Sequence, residues 1–432
     1  MKTKVWKSLS LLFIAIFAVS TAIASCSIGV TATINVGTNP KGVAYDSSKS
    51  EIFVANYGMP SGGNTVSVIS DNTNTVVATI KVGSSPADFA YDFGKGEVFV
   101  INYDDGTLSV ISDSNNAVVT TVPVGSGPNG AVYDPSKNEI FVTSGVSDTV
   151  SVISDSSNSV VANITVGTQP EGLAYDSSKG EIFVANYYSD TISIISDSTN
   201  TVVATVALDA NSADSGLDDK NTVVTDVPLG TNPADVDSYS ITPMLANVSA
   251  PTRPTDLVYD PGMGEIFVTN AVGTVSVISD KTNSVLATIP VGAYPGNLAY
   301  DSAQAEIFVA NYESNDVVAL SDTNNTVVAT VLLGQYPGGV AYDPAKNEIF
   351  VSNGGPNTVS VLSVVSTSST PSTSPTTSTS LNPTESPKQT PTGSSSSILI
   401  VIVAVAIIVI LLILGLLLKK RKKSTQTPPN ST

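Results

Sequence analysis

Two sets of aspartates recur along this chain, and they are its plainest candidates for chemistry. The first set follows a tyrosine each time: Asp46, Asp92, Asp134, Asp176, Asp260, Asp301 and Asp343. The second closes runs such as Val-Ser-Val-Ile-Ser: Asp71, Asp113, Asp155, Asp197, Asp280 and Asp322. A carboxylate in such a place either accepts hydrogen bonds from the N–H groups of the turn it opens, or joins other oxygens around a hard cation. One aspartate per turn is sparser than a calcium loop. Turn capping is therefore the expectation, with Ca2+ as the alternative, and no cofactor is required. The asparagine of each Phe-Val-x-Asn run is likewise expected to cap a turn.

What is missing narrows the chemistry further. There is no histidine and only one cysteine, Cys26. That removes imidazole ligation, Ser-His-Asp relays, histidine bases and cysteine-based zinc sites. No glycine-rich phosphate loop is visible. An enzyme would need carboxylates, tyrosine or lysine around a hard cation, and near-identical copies offer no lone unusual residue to mark a centre. The expectation is a non-catalytic protein, with no catalytic and no metal residues assigned. The net charge is −18, and basic residues cluster at the two ends. Nucleic acid is a poor partner for such a surface, since phosphate contact needs Lys and Arg.

These residues are positioned by a repeat. The Tyr-Asp anchors Tyr45, Tyr91, Tyr133, Tyr175, Tyr259, Tyr300 and Tyr342 are spaced 46, 42, 42, 84, 41 and 42 residues apart. A fixed period near 42 means one supersecondary unit is copied. In the fourth copy, Leu173 to Asp176, Glu181 to Asn186, Thr191 to Ser196 and Thr201 to Val206 read as four strands. Turn-forming Ser-Ser-Lys-Gly, Tyr-Tyr-Ser-Asp and Asp-Ser-Thr-Asn separate them. A four-stranded antiparallel meander exposes both faces until neighbours stack on it, which is the logic of a propeller blade. The fold class is all-β: a seven-bladed β-propeller spanning 29–363. The 84-residue gap leaves an alternative: seven blades with an insertion at about 208–250, or a degenerate eighth blade there. Seven is preferred, because no second Glu-Ile-Phe-Val appears in the gap. The last copy lacks a fourth strand, whereas Thr31 to Val36 is a strand without partners. The N-terminal strand is expected to complete the last blade and close the ring.

The second-strand runs carry a resemblance. Phe267-Val268-Thr269-Asn270 resembles the signature of the YVTN β-propeller repeat family, found among archaeal and bacterial surface proteins. Variants stand at Phe53–Asn56, Phe99–Asn102, Phe183–Asn186, Phe308–Asn311 and Phe350–Asn353, and Phe141–Ser144 departs further. Phe replaces the family's Tyr throughout. The junctions Val82-Gly83-Ser84-Ser85-Pro86 and Val166-Gly167-Thr168-Gln169-Pro170 also look like the family's. The resemblance implies a surface-layer-type propeller. It implies no specific activity.

In a meander propeller the loops after strands two and four share one face. Here those loops hold Tyr57, Tyr103, Tyr187, Tyr188, Tyr294, Tyr312 and Tyr336, with Asp104, Asp105, Asp190 and Glu313 among them. Tyrosines on a rim can stack on, and hydrogen-bond to, a surface glycan or a protein partner. Packing between blades is the plainer role.

The ends read as membrane devices. Lys2, Lys4 and Lys7 precede the apolar run Leu9 to Ile23, the order of a signal peptide over 1–25. Ile23-Ala24-Ser25-Cys26 also resembles a lipobox, which would make Cys26 a lipidation site. Residues 364–397 are nearly all Ser, Thr and Pro, a stalk that cannot bury a core. Ile398 to Leu418 holds 21 residues without a charge, long enough to cross a bilayer. Lys419 to Lys423 follow, five basic residues that belong on the cytoplasmic side, with the tail 419–432. The expected placement is a single-pass cell-membrane protein with its propeller outside. The sequons at Asn163, Asn247 and Asn324 would then be available for glycosylation. Three function classes compete: a binding, adhesion or envelope-display module, which is preferred; a self-associating surface-layer subunit; and an extracellular lactonase-like or metal-dependent enzyme.

Overall fold

The computed structural model describes residues 26–60, 62–208 and 252–366. Among them the chain forms seven four-stranded antiparallel sheets and no α-helix. These are blades 1 to 6, over 40–81, 86–123, 128–165, 170–207, 254–290 and 295–332, and blade 7, over 337–366 together with 26–35. Within each blade the strands run outward from the ring's centre in chain order, except in blade 7.

The second strand of every blade is a six-residue run beginning with Glu, and all its residues after Glu are buried. Alternation is absent because both faces of the sheet are covered by neighbouring blades. Phe53, Phe99, Phe141, Phe183, Phe267, Phe308 and Phe350 are the largest fully buried side chains. Each apolar cluster bridges two adjacent blades: Phe53 and Val68 of blade 1, for example, pack with Phe89, Val98 and Val100 of blade 2. Stability is therefore a sum of nearest-neighbour interfaces, with burial of each side chain this size worth about 1.5–3 kcal/mol.

The ring closes as expected. Cys26–Asn35 pairs antiparallel with Thr358–Ser366, matching Val30 to Leu362 and Ile34 to Val359. The closing strand runs Cys26–Asn35, starting before the expected Thr31. Ile34 is buried with Phe350 and Val361 of its own blade and with Ile52 and Val54 of blade 1. Blades 4 and 5 are direct neighbours: Phe183 and Ile192 share a core with Leu257 and Ile266. The Arg253 N–H also donates to the Asp190 carboxylate at 2.7 Å. The ring is thus complete at seven. The expected insertion falls on residues of which only Leu208 is described. The stalk beyond Ser366, the 398–418 segment, the basic tail, the signal peptide and Asn247 lie outside the described residues.

Two motif residues have roles that sequence defines only in part. The aspartate after each tyrosine caps its turn, as expected: the N–H of Ser48, Gly94, Ser136, Ser178, Gly262, Ala303 and Ala345 donates to it at 2.7–2.8 Å. The Phe-Val-x-Asn asparagine corrects the expectation of a turn cap. Asn56 is buried and donates to Thr65 Oγ1 and Ser67 Oγ, both at 3.0 Å, while accepting from Gly37 N–H at 3.0 Å. It staples the incoming junction to the third strand. A Cβ on Gly37 would lie 2.3 Å from the Asn56 side chain, which explains the glycine there.

Candidate binding site at the channel mouth

Each blade opens with a proline, and the residue before it has positive φ: Asn39 (47°), Ser85 (54°), Gly127 (62°), Gln169 (51°), Arg253 (53°), Tyr294 (52°) and Tyr336 (59°). Left-handed backbone costs a non-glycine residue about 1–2 kcal/mol, and a following proline disfavours helical conformations further. The carbonyl of each of these residues accepts from the N–H just past the second strand. Those partners are Tyr57, Tyr103, Gly145, Tyr187, Ala271, Tyr312 and Gly354. Every blade therefore delivers two bonded residues to the same face, and their identities vary while the frame stays constant.

The structure places all seven predicted rim tyrosines at or beside these positions. Tyr312 and Tyr336 stack at 4.9 Å with planes 25° apart, and Tyr294 meets Tyr312 at 6.2 Å. Tyr57 and Tyr103 lie 6.4 Å apart, and Tyr187 and Tyr188 lie 5.1 Å apart. They are not equivalent. Tyr188 is 62% exposed and Tyr294, Tyr312 and Tyr336 about 40%, whereas Tyr187 is buried. Tyr57 and Tyr103 are half-buried and also pack against an apolar cluster. Arg253 of blade 5 lies over the Tyr187 ring at 5.9 Å. Blade 3 presents only Gly127 and Gly145, a gap in the aromatic rim. The loop acids hold loops together: Asp104 and Asp105 accept from Ser85 Oγ and Ser84 N–H, and Asp190 from Arg253 N–H.

The mouth opens into a cavity of about 340 Å³ lined by Tyr57, Tyr294, Tyr312 and Tyr336. Its polar walls come from the residues just after each proline: Lys41, Asp88, Asn129, Glu171, Asp256 and Asn297. Burial pushes the Asp88 carboxyl up to about 6, against backbone N–H bonds from Phe89 and Ala131 and the charge of Lys41. Burial, then the Asp88 charge, lifts Asp256 well above the carboxylate range. Burial lifts Glu171 too, opposed by a Gln169 hydrogen bond and by Lys41. Lys41 itself sits 5.4 Å from the Tyr57 ring. Burial and the neighbouring Tyr187 hydroxyl raise Tyr294 to about 12. Aromatic faces above hydrogen-bonding walls have the chemistry to hold a polar ligand with flat apolar patches.

Sequence reading missed the wall residues. The signal was present: after each proline the otherwise constant repeat reads Lys-Gly, Ala-Asp, Asn-Gly, Glu-Gly, Thr-Asp, Gly-Asn and Gly-Gly. A side chain there faces the channel or a neighbouring blade, which only the ring defines. Among the described residues no three acidic, cysteine or histidine side chains converge to enclose a metal. Of the sequons, Asn163 and Asn324 are exposed, on an outer strand and in a turn. Cys26 is the first residue of the closing strand.

No protein-family model matches the chain, and no curated protein does. Among solved structures it is similar to Kuenenia stuttgartiensis hydrazine synthase, at 16% identity and a TM-score of 0.59, covering 77% of this chain and 98% of that one. A likeness at that identity shows the fold alone. The protein is a seven-bladed β-propeller.

Proposed function

We propose that this chain is a YVTN-like, membrane-anchored surface propeller that binds a saccharide of the cell envelope or of a neighbouring cell at the channel mouth, without catalysis. The carrying observation is the ring of paired variable positions, in which Tyr294 and Tyr336 hold left-handed backbone ahead of prolines. Strain of that kind is retained where a side chain's placement matters more than its conformational cost. Exposed tyrosine faces supply stacking, and Asn129, Asn297 and the acids supply the directional hydrogen bonds that sugar hydroxyls need. The charge-free segment 398–418 and the basic residues after it support anchorage; no helix among the described residues is long and apolar enough to cross a membrane.

The test is glycan-array binding by the full-length chain in detergent, compared with Tyr312→Ala/Tyr336→Ala. Loss of the stacked pair should weaken binding by at least tenfold and leave the melting temperature within a few degrees. Undiminished glycan binding by the double variant would refute the reading. A second reading rests on the outer strands, which expose Val77, Val119, Val161, Val203 and Val328 at about half of their surface. Apolar edge strands favour lateral pairing, so a surface-layer subunit would assemble into sheets as concentration rises, and Val77→Lys with Val203→Lys would prevent it.

A further inference from the structure

The aspartate sets of the sequence meet on the opposite face, at blade interfaces. The turn aspartate of one blade faces the third-strand aspartate of the next. Ser48, in the turn Asp46 opens, donates to Asp113 at 3.0 Å, and Ser136, beside Asp134, donates to Asp197 at 3.2 Å. Burial, and then the neighbouring Asp343, raise the Asp71 carboxyl, as burial and Asp92 do for Asp155 and burial and Asp260 for Asp322; the Tyr300 hydroxyl that donates to Asp322 also lies beside the Asp260 turn at Gly262. The residues of these last three pairs are almost wholly buried. Two buried negative charges side by side require compensation.

A cation stands near most of these pairs, and at the interface of blades 7 and 1 it forms an ion pair with one of the two aspartates. Three residues after the turn aspartate stands a lysine: Lys49, Lys95, Lys137, Lys179 and Lys346. Lys346 Nζ lies 3.4 Å from Asp71 Oδ1, and Lys95 Nζ bonds the Asp155 carbonyl at 2.7 Å. Between blades 6 and 7 the lysine is replaced by Gln304, and there the second aspartate is also gone, with Val364 in its place. The interface between blades 5 and 6 breaks the pattern. Met263 replaces the lysine, yet both Asp260 and Asp322 remain.

At that interface Asp260 is 0% exposed and Asp322 is 4% exposed. Asp260 Oδ1 caps the turn through Gly262 and Met263, while Oδ2 is buried with no hydrogen-bond partner, as is the same oxygen of Asp46, Asp92, Asp134, Asp176 and Asp343; only at Asp260 is the third-strand aspartate present and the lysine three residues on missing. Glu265, opposite Asp260 in the hairpin, also has a buried, unpartnered oxygen. Tyr300 donates to Asp322 Oδ2 at 3.4 Å, and Thr323 donates to Oδ1 at 3.0 Å. The turn above the pair, Pro261 to Met263, is exposed, so an ion has a route in.

We propose that this interface binds one Ca2+ between Asp260 and Asp322, where the other paired interfaces carry lysine. Two carboxylates with water completing the shell make a weak site, with a dissociation constant on the order of 0.1–1 mM, as in extracellular calcium modules. The test uses the full-length chain in detergent, stripped with chelator and titrated with CaCl2, read by calorimetry and by melting temperature. Wild type should bind Ca2+ in this range and melt higher as the concentration rises. Met263→Lys restores the internal cation. It should weaken this binding at least tenfold and, in chelator, melt no lower than wild type. Asp322→Asn should lose the calcium response as well. Wild type that neither binds nor is stabilised at ~10 mM CaCl2, an order of magnitude above the expected constant, would overturn the site, as would Met263→Lys and Asp322→Asn retaining the full response. A melting temperature raised equally by Ca2+ in wild type and Met263→Lys would also overturn it, by locating the ion elsewhere.

Discussion

Replacing Asp88 by asparagine should stabilise the ring at neutral pH and leave it unchanged in acid. Asp88 sits in the channel wall with its carboxyl raised by burial from 3.8 to about 6. At about 1.36 kcal/mol per pH unit, that rise corresponds to about 3 kcal/mol. The sign follows from linkage: the folded protein holds this proton more tightly than the unfolded chain, so the associated stability is fully present below pH 3.8 and is lost as pH rises through about 6. An asparagine side chain at this position would keep an acceptor for the Phe89 and Ala131 N–H groups without the buried charge. Part of the gain is offset, because Lys41 loses a counter-charge, so about 3 kcal/mol is a ceiling. For roughly 300 ordered residues with an unfolding entropy of about 2.1 cal/mol/K each, the ceiling is about 5 °C in melting temperature. The assay is scanning calorimetry of wild type and Asp88→Asn in chelator at about pH 7.5 and about pH 4, on either side of the folded-state titration. An increment of the same size at both pH values, or a lower melting temperature for Asp88→Asn at the higher one, would refute the electrostatic account. Asp155, Asp197, Asp256 and Glu171 are raised by burial in the same direction, so wild type itself should melt higher at the acid pH than at the neutral one.

Other expectations follow from the packing. Deleting residues 26–35 strips the fourth strand from blade 7 and removes Ile34 from the core between blades 7 and 1; calorimetry should show the whole ring melting lower by more than the ~5 °C ceiling of the Asp88 change, and an unchanged transition would contradict closure by this strand. Asn186→Ala would leave the Gly167 N–H without its acceptor and the Thr191 and Ser193 hydroxyls without their donor. A loss of about 2–4 kcal/mol in urea unfolding is expected, and less than about 0.5 would show that water replaces the staple. Phe183→Ala opens a cavity between blades 4 and 5 and should cost about 3–5 kcal/mol in the same assay.

The repeat made most of the architecture legible in one dimension. Strand number, blade boundaries and ring closure follow from a 42-residue period and from two complementary half-blades at Thr31 and Thr358, since each meander has to bury both faces against a copy of itself. The turn role of Asp46 and its equivalents was equally readable, because an aspartate and the N–H groups two and three residues on are local. Other features depend on which strands and blades become neighbours. Asn56 looked like a turn residue because its partners, Gly37 and Ser67, lie on other segments of the chain. Lys41, Asp88 and Asp256 share one channel only because the ring brings the starts of distant first strands together. Asp260 and Asp322 are 62 residues apart by number, and their meeting was decided by the stacking of blade 5 on blade 6. Sequence period determined the unit and its count; closure of the units into a wheel decided which charges and aromatic rings face one another.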